Sequence, residues 1–164
     1  MLDQYKAVAY ADDWTKRDKM NPQYNSYKND CANFASQTLV AGGMPQVGYF
    51  NLWDPTNWFA KGVAGRSSHT FINSQMLNAY MYKQWGFPGM NDIWGAEYAD
   101  YLFADWQHGP DGVIDHTMVV VGRANNIPLI DQKSPNRYWL PLSVSIKLAR
   151  DGGNYPINWY GIAT

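Results

Sequence analysis

The sequence predicts an α+β domain, with helices in its first half and an antiparallel sheet in its second. Three observations support this. Apolar residues recur at three- and four-residue steps up to about residue 84. From 98 onward the pattern changes to short β-rich or alternating runs separated by Gly, Pro and Asn. Helices followed by strands, without βαβ alternation, describe α+β architecture. At 164 residues, with no internal repeat or linker, the chain suits a single domain over 1–164 with one core.

In QYKAVAYADDWTKR (4–17), Tyr5, Val8, Ala9, Ala11 and Trp14 share a helical face, with Asp3 as cap. MNPQYNSYKND (20–30) reads as loop. CANFASQTLVAGG then places Phe34, Ala35, Thr38 and Leu39 at helical steps and stops at Gly42-Gly43, with Asp30 as N-cap. Residues 44–68 have no clean period and read as a long ordered loop. A helix is expected over 70–84, capped by Ser68 or Thr70, with Phe71, Met76, Leu77, Tyr80 and Met81 inward. YADYLFADW, DHTMVVVGR, IPLIDQKS and LSVSIKLAR are read as strands, and NYPINWYGIAT as a last one.

Composition narrows the function. The net charge of −1 leaves no basic stripe for a phosphate backbone, which argues against nucleic acid. Apolar runs such as VVV at 119–121 are far too short to span a membrane, and no signal peptide opens the chain. One cysteine rules out an internal disulfide and a multi-Cys zinc site, and no histidine pair has metal-ligand spacing. The reading therefore includes no cofactor and no metal. Aromatic residues equal charged ones at 16%, which suggests a ring-lined groove: the loop from 47 to 60 (Tyr49, Phe50, Trp53, Trp58, Phe59) together with Trp106.

The lone thiol, Cys31, falls where a helix should begin. Free amides and the positive end of the dipole favour a thiolate there. The ordinary alternative is a buried, inert small hydrophobe. Three histidines could partner it: His69 near a helix start, His108 in a turn, and His116 at the start of a strand. His116 is favoured, since its ring would stand at the sheet's end. A general base needs a third group to hold its ring, and the next strand should supply it. If Asn125-Asn126 is a two-residue hairpin turn, residue 124 faces 127. Asp131 and Lys133 then share the face of His116 while Gln132 points away, and a one-residue bulge would reverse this.

YKAVAYADDW, NPQYNSYKNDCANFASQTLVAGG, SSHTFINSQM, ADYLFADW, DGVIDHTMVVVG and PLIDQKSPN, in that order, resemble the putative amidase domain family over roughly residues 5 to 142. That family is similar to the papain-like NlpC/P60 and CHAP hydrolases of bacterial cell-wall enzymes. The resemblance implies a papain-like fold with Cys31 as nucleophile and His116 as base. Asn29 and Asp30 would border an oxyanion site served by the Cys31 amide. It further implies a peptidoglycan or peptide substrate and an extracellular or cell-wall location; in the ring-lined groove read above, Trp53, Trp58 and Trp106 would grip that substrate. The family's pattern carries QHS where this chain has QKS. Asp131 or Gln132 would then take the orienting role, or the domain is a degraded module that binds wall fragments or a protein partner. A toxin-like protease or deamidase would use the same residues.

Overall fold

Nine consecutive residues, Cys31 to Leu39, are buried, so the helix they form is central rather than amphipathic. Its polar side chains are paired within the core. Asn33 Nδ2 donates to Asp30 Oδ1 (2.7 Å), Ser36 Oγ to the Phe71 carbonyl (2.8 Å), and Thr38 Oγ1 meets the Tyr101 hydroxyl (2.7 Å). Each pairing offsets the cost of burying a polar group.

The computed structural model describes all residues, Met1 to Thr164. Helix α1 spans Gln4–Lys16, α2 Cys31–Ala41, α3 His69–Ile72, α4 Ser74–Lys83 and α5 Leu142–Asp151. Strands are β1 Gly89–Met90, β2 Tyr101–Asp105, β3 His116–Ala124, β4 Ile127–Gln132, β5 Arg137–Pro141 and β6 Asn158–Ile162. They form one antiparallel sheet in the order β1-β6-β2-β3-β4-β5. The domain is therefore α+β. None of its helices is long and apolar enough to cross a membrane.

Both faces of the sheet are covered. Tyr101, Phe103, Val119 and Val121 pack with Phe34, Ala35 and Leu39 of α2 and with Ala7, Val8 and Ala11 of α1. Leu102, Ala104, Met118, Val120 and Ile130 pack with Leu142 of α5 on the other face. Burial on both faces explains the unbroken apolar runs at 101–104 in β2 and 118–121 in β3.

Several expectations change. LSVSIKLAR is helix throughout, not strand: Leu142, Ser145 and Ala149 are buried on one side of α5 while Val144 and Leu148 are exposed. Strand β5 precedes it. The tail strand β6 is inserted between β1 and β2. The helix expected over 70–84 is broken at Asn73, whose extended backbone ends α3 and whose side chain accepts from the Met76 amide to cap α4. Asp3 caps α1 through the Lys6 amide, but Tyr5 is exposed and Thr15 takes an inward place.

Candidate active site

The N-terminus of α2, the start of β3 and the start of α4 converge at one end of the sheet. Cys31 is the first residue of α2 and is 2% exposed. Its Sγ lies 3.4 Å from Ser74 Oγ and 3.8 Å from the Asp115 carbonyl. The Cys31 amide donates to Asn29 Oδ1 at 3.3 Å, and Asn29 is exposed at the cleft wall. Asp30 occupies the N-cap position without capping the helix. Its Oδ1 accepts from the Tyr27 amide and Asn33 Nδ2, while its own amide donates to Ser134 Oγ. Asp30 thus ties the helix entrance to the loop after β4 and has no free donor for an oxyanion.

His116, the first residue of β3, is 3% exposed. Its ring stacks on Trp106 with centroids 4.7 Å apart and planes at 19°. Thiol and imidazole neighbour each other and bias each other's charge. Burial pushes the Cys31 thiol up. The His116 imidazole outweighs it by hydrogen bonding and charge, helped by the Ser74 hydroxyl and the Thr117 backbone amide, and the thiol lies below its ordinary value. Burial pulls His116 down, but Cys31, Gln132 and Asp115 together raise it. A lowered thiol beside a raised imidazole favours a thiolate–imidazolium pair. His69 shows the reverse bias: partial burial and then the Arg66 charge hold it below its ordinary value.

The strand beside His116 requires a correction. The hairpin turns at Asn125-Asn126 as expected, both at positive φ, with Ala124 facing Ile127. Between Val120 and Gly122 the register then shifts by one residue, so Val120 faces Ile130 and Val119 faces Asp131. A one-residue shift moves every later side chain to the other face. Asp131 and Lys133 are thereby turned away from His116, and Gln132 is turned toward it. Asp131 accepts from the Trp139 amide (2.8 Å) and meets Thr15 Oγ1 (2.7 Å). Lys133 Nζ donates to the Trp14 carbonyl (2.9 Å) and Asn136 Oδ1 (2.6 Å). Gln132 Nε2 donates to the Pro135 carbonyl at 3.1 Å, while Gln132 Oε1 and His116 Nε2 are both buried without an aligned partner.

A cleft of about 360 Å³ opens at this point, lined among others by Asn29, Trp106, His108, Asp115, His116 and Ser134. Of the three tryptophans expected to grip a ligand, only Trp106 lines it. Trp58 is a core residue, 0% exposed, with Nε1 donating to Ser36 Oγ at 3.1 Å, which corrects its assignment to the groove. Trp53 is 67% exposed and stacks on His69, away from this cleft. A larger hollow of about 430 Å³ is lined by Asn25, Tyr27, Arg66, Ser67 and His69. His116 lines the smaller cleft and not this one, and the buried Cys31 lines neither. No three His, Cys, Asp or Glu side chains gather closely enough to hold a metal ion.

Sequence reasoning did not pick out Ser74, Thr117 or Asp115. Gly122 directly after three valines was the available signal for the bulge, since glycine inside a strand often marks one.

The sequence profile of the family described as "Putative amidase domain" matches residues 1–155. Two Bacillus subtilis proteins are similar to the chain. "Uncharacterized protein YhbB" is 31% identical over 145 residues, covering 84% of this chain and 44% of that protein. "Uncharacterized protein YjcM" is 29% identical over 149 residues, covering 84% of this chain and 32% of that protein. The chain thus spans less than half the length of either relative. No solved structure matches it.

Proposed function

The chain belongs to the putative amidase domain family, and from that premise we propose that residues 1–164 form one cysteine-dependent amide hydrolase of papain-like arrangement, akin to NlpC/P60 and CHAP enzymes. The observation that carries this reading is geometric: the buried Cys31 thiol at the N-terminus of α2 lies 3.8 Å from the carbonyl of Asp115, the residue directly before His116 at the start of β3, and the imidazole biases the thiol toward ionisation.

In the proposed reaction the Cys31 thiol proton passes to His116, and the thiolate attacks the amide carbon. A C–S bond forms and the carbonyl oxygen takes up the negative charge. The Cys31 amide faces that oxygen once Asn29 Oδ1 yields its long 3.3 Å bond. His116 returns the proton to the departing nitrogen as the C–N bond breaks, leaving a thioester. Water, deprotonated by His116, then releases the acid and restores the thiol. Gln132 Oε1 is the natural partner for His116 Nε2–H: both atoms are buried and each lacks another partner. That pairing leaves Nδ1 for the sulfur. Trp106 covers the ring face and limits its rotation.

The substrate class we propose is an amide or peptide bond of bacterial peptidoglycan, met at the cell wall outside the membrane. The largely polar cleft wall, with Asn29, His108, Asp115 and Ser134, suits a peptide backbone, and Trp106 suits a sugar or side-chain face.

The test is the pH dependence of Cys31 alkylation by iodoacetamide, paired with product analysis on purified peptidoglycan. Rapid alkylation near pH 6, slowed at least about tenfold in His116→Ala, is expected, as is release of a new amine or carboxyl group from the wall polymer. A thiol that reacts only after unfolding would overturn the cysteine mechanism. Reactivity without wall cleavage would redirect the search to protein substrates.

A further inference from the structure

Ser74 is the first residue of α4, and a serine there ordinarily serves the helix end. In this chain Asn73 performs that duty by accepting from the Met76 amide at 3.0 Å. The Ser74 hydroxyl is left for another partner. It lies 3.4 Å from Cys31 Sγ and accepts from Thr117 Oγ1 at 2.7 Å. All three residues are buried, at 5%, 2% and 1% exposure for Ser74, Cys31 and Thr117.

Resting on the thiol–imidazole reading above, we propose that the Ser74 hydroxyl is a catalytic hydrogen-bond donor to the Cys31 sulfur, held in that role by the Thr117 hydroxyl. A hydroxyl has one proton to give. Because Thr117 supplies the hydrogen that Ser74 accepts, the Ser74 proton is directed at the sulfur. Donation to a neutral thiol contributes little. Donation to a thiolate is charge-assisted and roughly twice as strong. The relay therefore selects the ionised nucleophile. Ser74 keeps its proton throughout, so no bond to it forms or breaks.

The placement also explains a feature of the fold. Thr117 follows His116 directly on β3, and alternation sends the two side chains to opposite faces. One strand start thus presents the base on one side and the hydroxyl that orients Ser74 on the other. The break at Asn73, which divides the helix expected over 70–84, turns Ser74 toward the sulfur.

The experiment compares the pH profile of Cys31 alkylation in wild type, Ser74→Ala, Ser74→Thr and Thr117→Val, with melting temperatures recorded for each. Ser74→Ala is expected to move the thiolate limb to higher pH and slow alkylation at pH 6 about tenfold. Ser74→Thr, which keeps a hydroxyl, restores the wild-type limb. Thr117→Val shifts it in the same direction by less, and serves if Ser74→Ala does not fold. A wild-type low-pH limb that persists unchanged in folded Ser74→Ala or Thr117→Val overturns the relay and leaves the cysteine mechanism standing. A wild type with no such limb overturns both.

Discussion

Two buried polar groups flank β4, and they are finished to different degrees. On the α1 side, Asp131 is 0% exposed, and both its oxygens are engaged, by Trp139 and Thr15. Lys133 is likewise committed to the Trp14 carbonyl and Asn136. On the α5 side, one residue away in sequence, Gln132 Oε1, His116 Nε2 and Asp115 Oδ1 are buried without an aligned partner. Native proteins leave few polar atoms so, because each costs about 1–3 kcal/mol. The first group binds helix to sheet. The second leaves polar atoms unpaired, and two of its residues, Asp115 and His116, border the cleft beside Trp106.

Substitutions should separate the two groups by what they damage. The largest effect is expected on the cleft side. Gln132→Ala should lower kcat on the order of a hundredfold, because the imidazole loses the group that fixes its tautomer. It should change the melting temperature little, which steady-state kinetics and thermal melts together would test. A variant of full activity would remove Gln132 from the mechanism.

The opposite pattern is expected for Asp131→Ala: about 2 kcal/mol of stability lost, from the stranded Trp139 amide and the lost Thr15 hydrogen bond, with turnover per folded molecule preserved. Equal losses in both properties would dissolve the contrast. A gentler probe is pH. Burial, outweighing the Trp139 and Thr15 hydrogen bonds, pushes Asp131 up to about 7 from 3.8. Between those values the folded chain binds a proton that the unfolded chain does not, so this residue makes stability fall as pH rises through the window and level off above it. The geometry agrees. Thr15 Oγ1 also lies 2.8 Å from the Ala11 carbonyl, so its single proton can go there while a protonated Asp131 donates to it. Asp131→Asn supplies that donor at every pH and should flatten the slope in urea melts run from pH 4 to 8. A slope kept by the Asn variant would place the titration elsewhere.

The smallest effect is expected at Trp53, whose ring stacks on His69 outside the cleft. Trp53→Ala should leave stability within about 0.5 kcal/mol and kcat unchanged. A severalfold rise in KM would extend substrate contact to that ring, and an unchanged KM would confine binding to the cleft.

The contrast also shows how far a sequence carries. Helices α1 and α2 announce themselves by periodicity, with Asp3 and Gly42-Gly43 marking ends, and the Asn125-Asn126 turn fixes the β3–β4 hairpin. Cys31 and His116 were picked out by position, and the structure brings them together. Which β4 side chain faces His116 was lost to one inserted valine, since a bulge leaves composition untouched while reversing every later side chain. LSVSIKLAR failed for a different reason. Leu142, Val144, Ile146 and Leu148 alternate like a strand, and so short an apolar run fits either period until a neighbour is known. Trp58 was misassigned because composition counts rings without saying which of them face inward.

Strand β6 lies between β1 and β2 although it is the last element of the sheet to be synthesised. Until residues 158–162 leave the ribosome, β2 presents an open edge, and the strand that pairs with β3 ahead of His116 is supported on one side alone. A growing chain therefore completes the cleft end of its sheet only after the rest of the sheet has been made.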